Sequence, residues 1–356
     1  MKKKLLVTVI ILVTLLIASV LVFTLSIGPV NKNNTDIVKF VVEKGDTYSN
    51  LSDKLKDANL IRSELFYKAY VKITKPSDLQ AGKYPMSQSM SLIDIVNMLK
   101  NHATYNPDAV TITFPEGINM NRIAKIIAAN TNNTEDSVYT LLKDNAFLDE
   151  MIAKYWFLSK DIKNPNIYYS LEGYLFPNTY EFENKDVSVR DIFIKMLDET
   201  QKQLAPYKTD IQANKMSIHQ LLTLASIVEL ESWSESDRQT VAGVFYNRLN
   251  SGWTLGSCVT TYYASKVQMG ERDLKVSEIN AFNSYNTRNS KMAGKLPVGP
   301  ICNPSIVSIK AALYPNKNDY FYFVSDKNKK LYFNKTYAAH EQTISDLQKQ
   351  GLWLEY

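Results

Sequence analysis

Cysteine and histidine are the scarce side chains of this 356-residue chain, with two of the first and three of the second. Their scarcity excludes much chemistry. His102, His219 and His340 stand far apart, with no H-E-x-x-H run and no cysteine pair beside them, so no zinc site is expected. Cys258 and Cys302 allow at most one disulfide; free thiols are the expectation, because one bridge adds little to a core of this size. No G-x-S-x-G occurs, and no S-x-x-K arranged with later partners, which argues against a serine nucleophile. A Cys258 or Cys302 nucleophile served by His340 stays open as an alternative. P-loop and dinucleotide fingerprints are absent, and no cofactor is expected. Charge of one sign is lacking too. The formal charge is +5, and setting aside Lys2, Lys3 and Lys4 leaves 38 basic against 36 acidic side chains, with no basic stripe for nucleic acid.

What is present begins with an apolar run. Residues 5–27 carry no charge, and 23 residues suffice to cross a hydrocarbon core at about 1.5 Å per residue. The run is longer than a signal-peptide core, no small-residue cleavage site follows, and no nearby cysteine offers a lipid linkage. The expectation is an uncleaved single-pass anchor in the cell membrane. Residues 1–4 then lie in the cytoplasm by the positive-inside rule, and residues 28–356 lie outside.

Beyond the anchor, apolar content of 45% and charged content of 22% are those of a globular protein. Residues 28–37 read as a polar linker, residues 38–105 as a small first unit, and residues 106–356 as a larger second one. Alternation at Val38, Phe40 and Val42 predicts a strand, and Gly45-Asp46 a turn into a helix with Leu51, Leu55 and Leu60 on its apolar face. Ser91 and Asp94 resemble a capping box. A similar strand, acidic residue, glycine and helix recur at "AVTITFPEGINMNRIAKIIAANT". Ser217 and Gln220 predict a second capping box, opening a helix to about Ser232; another helix follows and stops near Gly252. "DYFYFVSDKNKKLYFN" reads as a β-hairpin. Strands and helices mix without a βαβα rhythm, so the class is α+β. The 22 tyrosines offer flat surfaces with polar tips.

Carboxylates carry the remaining chemistry. Glu229, Glu231 and Glu235 arrive in quick succession after the apolar run Leu221–Val228. Ala225 and Trp233 flank Glu229 four residues away on one helical face. A carboxyl held among apolar groups keeps its proton more tightly, as a general acid for glycosidic cleavage requires. Structural roles are available as well: helix capping for Glu235, and an ion pair with Arg238 or Arg248 for Glu229 or Glu231. Glu231 and Glu235 are expected near solvent.

The segments "LEGYLFPNTYEF", "LASIVELES", "VAGVFYNRL", "YNT" at 285–287, "LPVGPICNPS" and "YFYFV" occur in the order found in one family. Over roughly residues 110–340 the chain resembles the endolytic murein transglycosylases of the YceG-like (MltG) family. That family has a membrane anchor and a LysM-like unit ahead of its catalytic domain, which fits residues 1–27 and about 38–105. The resemblance implies that Glu229 is the catalytic acid. It implies substrate-positioning roles for Glu172, Tyr174, Asn247, Arg248, Tyr285, Asn286 and Thr287. It implies peptidoglycan glycan strands as substrate, cut at the β-1,4 bond after N-acetylmuramic acid to leave 1,6-anhydro ends, with cell-wall synthases as partners. A non-catalytic wall-binding scaffold of the same fold is the alternative, and a hydrolase using Glu231 or Glu235 to activate water is a third. The chain departs from the family at "LGSCVTTYY", where Gly256, Cys258 and Val259 replace glutamine, aspartate and proline, and at Lys295 and Val298. The lost aspartate bears on the efficiency of catalysis.

Overall fold

The computed structural model describes residues 2–77, 79–100 and 108–353. His102 and the boundary expected at 105/106 lie outside them. The chain divides into two compact units, residues 1–108 and 109–356, each with its own apolar core.

The first unit opens with α1 (Lys2–Ile27), followed by β1 (Ile37–Val42), α2 (Leu51–Asp57), α3 (Glu64–Thr74), β2 (Gly82–Ser87) and α4 (Leu92–Lys100). Of α1, the side chains of residues 13–15 and 17–27 are described. Among the described residues no helix is long and apolar enough to cross a membrane. Arg62 fastens the end of α1, its Nε donating to the Pro29 carbonyl at 2.7 Å and its Nη1 to that of Leu25 at 3.2 Å. β1 and β2 pair antiparallel from Ile37↔Ser87 to Val42↔Gly82, across the two helices that separate them in sequence. Leu51, Leu55, Tyr67, Ile95 and Leu99 fill the core beneath them. The Ser91–Asp94 capping box forms, with Asp94 Oδ2 accepting from the Ser91 amide and hydroxyl.

The second unit runs β3 (Val110–Thr113), α5 (Met120–Asn130), α6 (Glu135–Leu141), α7 (Asn145–Lys154), β4 (Thr179–Phe182), α8 (Val189–Leu204), α9 (Lys208–Ala213), α10 (Ile218–Glu231), α11 (Glu235–Asn250), α12 (Cys258–Ala264), α13 (Val276–Asn280), α14 (Ile306–Leu313), β5 (Tyr322–Ser325), β6 (Leu331–Asn334) and α15 (Tyr337–Lys349). Antiparallel pairing of β3 with β4, from Val110↔Phe182 to Thr113↔Thr179, draws the loop after β3 towards the loop before β4. β5 and β6 form the expected hairpin. The mixture of helices and small antiparallel sheets is α+β.

α10 is the central element. Ser217 caps it through the full box with Gln220, and every residue from Leu221 to Glu229 is buried. Buried on all sides from Leu221 to Glu229, this stretch cannot lie on a surface; α11 and α14 pack against it. Its C-terminal end delivers Glu229 and Glu231 into opposite surroundings, since residues two apart on a helix point about 200° apart.

Candidate active site

Glu229 keeps only 6% of its side chain exposed. One carboxylate oxygen accepts from Arg238 Nη2 at 2.9 Å, and the other from the Ser305 amide at 2.9 Å and the Ser305 hydroxyl at 2.6 Å. The apolar cage expected from the helical spacing is therefore replaced by three donors. Arg238 comes from the first turns of α11, and Ser305 caps α14. The two helices that hold α10 in place also hold its carboxylate.

The loop after β3 closes over this pair. Gly117 takes φ +74°, a left-handed conformation that suits glycine, and a Cβ there would lie 3.5 Å from Glu229 Cγ. Exposed Glu116 precedes it. Partial burial holds its carboxyl above the usual range, the charge of Glu229 adds to this, and Arg238 opposes it. Glu116, Arg238 and Ser305 thus join the site. Sequence reasoning reached Arg238 only as an ion-pair option, and noted Glu116 only as the acidic residue of a repeated pattern. Nothing in the sequence pointed to Ser305, because its approach depends on how α14 docks.

Glu172 lies beneath the same loops, 1% exposed. Its carboxyl accepts from the Met120 amide at 2.9 Å, the Tyr263 hydroxyl at 3.1 Å and Asn303 Nδ2 at 3.1 Å. Burial pushes its pKa up to about 8, against the pull of those donors. Asn303 ties the loops together: its Oδ1 accepts from the Gly173 and Leu175 amides at 3.0 Å each, and its backbone pairs with Gly117 and Ile118. "FPEG", "LEGYLF" and "ICNPS" therefore converge on one point under Glu229. Tyr174 is buried and donates to His219 Nδ1 at 2.7 Å, while His219 Nε2 donates to the Val298 carbonyl at 2.8 Å. His219 is a satisfied core histidine.

The other expected positions gather elsewhere. Asn247 Nδ2 donates to the carbonyls of Asn318 and Tyr320 at 3.0 and 2.9 Å, and Arg248 Nε to that of Phe321 at 2.7 Å. Asn286 and Thr287 are buried, bonded to Thr261 and Thr260 at 2.9 and 2.7 Å, and fix the chain around Ser257. Tyr285 packs its ring 4.8 Å from Tyr168 and 4.9 Å from Tyr263. The structure brings Glu172 to the Glu229 loops, but holds Asn247, Arg248 and Asn286–Thr287 on the Glu231 side.

Glu231 is not a solvent-facing residue. It is partly buried, accepts from the Ser257 hydroxyl at 2.5 Å, and burial raises its pKa while Ser257, Arg248 and Arg288 counter the rise. Glu235 is exposed in the first turn of α11, whose cap is Ser234. Cys258 and Cys302 are free thiols, the first exposed and the second buried with its Sγ 3.3 Å from the Ser226 carbonyl. Cys258 feels the charges of Arg288 and Glu231, and among the described interactions none joins it to Glu229.

Known proteins share this architecture. Residues 40–346 match the YceG-like family. A Bacillus subtilis (strain 168) protein named an endolytic murein transglycosylase is 35% identical over 318 residues, covering 88% of this chain and 86% of its own length. A Streptococcus pneumoniae serotype 2 protein of the same name is 30% identical over 336 residues, and the match spans 60% of that longer protein. The crystal structure of a YceG-like protein from Listeria monocytogenes aligns with a TM-score of 0.61 at 33% identity, covering 87% of this chain and 99% of the other.

Proposed function

This chain belongs to the YceG-like family, and on that premise we propose that it is a membrane-anchored endolytic peptidoglycan lytic transglycosylase. It cuts the β-1,4 bond between N-acetylmuramic acid and N-acetylglucosamine. The observation that carries this reading is a nearly buried carboxylate, Glu229, oriented by Arg238 and Ser305 beside an open cleft lined by Gly117, Leu230 and Tyr262. The acid form of Glu229, reached when the carboxylate takes up a proton ahead of cleavage, gives that proton to the departing O4 of N-acetylglucosamine as the C1–O4 bond breaks. The 6-hydroxyl of the muramyl ring attacks C1, and its proton passes to Glu229, leaving a 1,6-anhydro end. Arg238 and Ser305 stabilise the carboxylate between the two transfers. Water takes no part, so the paired carboxylates of a hydrolase are not required.

The uncharged stretch of residues 5–27 supports an anchor that keeps the enzyme on nascent strands near the cell-wall synthases. The strand–helix–helix–strand order of the first unit supports a LysM-like role. Digestion of purified peptidoglycan by the detergent-solubilised full chain, followed by mass spectrometry of the ends, tests the activity. Anhydro ends are expected, and their loss in Glu229→Gln. Reducing ends would mean hydrolysis. No cleavage, with cellular function intact in Glu229→Gln, would favour the scaffold, the reading supported by the nearly buried Glu229–Arg238 pair. Extraction of the protein from membranes by alkaline carbonate would refute the anchor.

A further inference from the structure

Three adjoining clefts, of about 690, 210 and 420 Å³, form one groove across the second unit. The first two share Tyr139, Tyr168, Tyr169 and Lys266, and the last two share Asn119, Arg122 and Tyr263. The third is lined by Gly117 and Leu230, and a Cβ on Gly117 would lie 3.5 Å from Glu229 Cγ. The groove thus reaches the residues that border Glu229, and its role in binding rests on the transglycosylase reading of that residue.

The floor of the groove is aromatic. Tyr139 and Tyr169 stack at 5.7 Å, and both hydroxyls donate to Asn121 Oδ1, at 3.1 and 2.6 Å. With its oxygen occupied, Asn121 has its amide N–H groups left as donors for a ligand. Burial pushes the Tyr139 hydroxyl up to about 12, so it stays a neutral phenol. A flat, uncharged and rigidly held pair of rings suits the apolar face of a sugar. The walls are cationic. Lys143 and Arg122 are exposed and make no ion pair among the described residues; Lys266 lies 4.6 Å over the Tyr168 ring, likewise without an acidic partner. Asp136 and Glu271 are the acidic side chains lining the two Tyr139 clefts.

We infer that this groove selects a glycan bearing carboxylates. Sugar rings lie on the Tyr139–Tyr169 shelf, and the ligand's carboxylates meet Lys143, Lys266 and Arg122. On a muramyl strand those carboxylates have two sources: the stem peptide, or the lactyl group once the peptide has been removed. A neutral glycan of the same backbone, such as a chitin oligosaccharide, has neither.

The test is binding to the full chain carrying Glu229→Gln, so that affinity is read without cleavage. The probes are peptide-bearing muramyl strands, amidase-stripped muramyl strands and chitin oligosaccharides of equal length. The peptide-bearing muramyl probe should bind more tightly than chitin, with an advantage that falls as salt rises. Lys143→Gln and Lys266→Gln should each weaken muramyl binding about fivefold and leave chitin binding as it was; glutamine retains much of the side-chain length at Lys266, whose φ is +54°. Loss of the advantage on stripping assigns the peptide as the source, and its persistence assigns the lactyl group. Equal binding of chitin and muramyl strands, or lysine variants that bind normally while retaining the parent melting temperature, overturns the inference. Failure of the active chain to make anhydro ends while charge selection persists overturns the transglycosylase reading instead.

Discussion

At Glu172 a carboxyl without solvent access organises three donors from three separate segments. Its pKa rises from 4.5 to about 8 on folding. The folded protein therefore binds a proton that the unfolded chain releases between those values. This contribution to stability is complete below about 4.5, declines through neutrality, and is gone above about 8, a total of roughly a few kcal/mol. Glu172→Gln should abolish that slope. It should also lower stability by about 1–3 kcal/mol, since the amide must set an N–H against one of the fixed donors. Urea midpoints from pH 5 to 9 check both, and parallel curves for the two proteins would refute the assignment.

Elements rather than single contacts decide where Glu229 points. α10 is held by α11 and α14, and the loop 171–178 is held by a close approach that only glycine permits. Gly173 has φ +84°, and a Cβ there would lie 2.3 Å from Pro300 Cβ, a ring atom that cannot swing aside. Gly173→Ala should cost about 3 kcal/mol or more, from the left-handed backbone and the overlap together. It should also part the loops that Asn303 joins, so that glycan cleavage falls even at temperatures where the protein remains folded. Thermal melting alongside product analysis separates these effects. A variant with the parent melting temperature and activity would show that the two loops are not in fixed contact.

For the molecule as a whole, the periodic parts are legible from sequence: β1, α10 with its capping box, α11 and the β5–β6 hairpin follow from alternation, capping residues and glycine. The family resemblance points to Glu229, and its ion pair with Arg238 stands among the options read from the sequence. Ser305 and Glu116 cannot be placed beside it, because that contact depends on the docking of α14 and on β3 pairing with β4 across almost seventy residues. The solvent exposure expected of Glu231 fails for a related reason: a polar residue near a helix end reads as exposed until the Ser257 loop is known to cover it. The same long-range ties lie entirely within residues 109–356, and the first unit closes its own core through β1–β2 pairing. Two separate cores should melt separately. Calorimetry of the full chain should show two transitions, and Gly173→Ala should lower one of them by several degrees while leaving the other in place. If both transitions moved together, or only one were seen in the parent and the variant alike, the two cores would be a single cooperative unit.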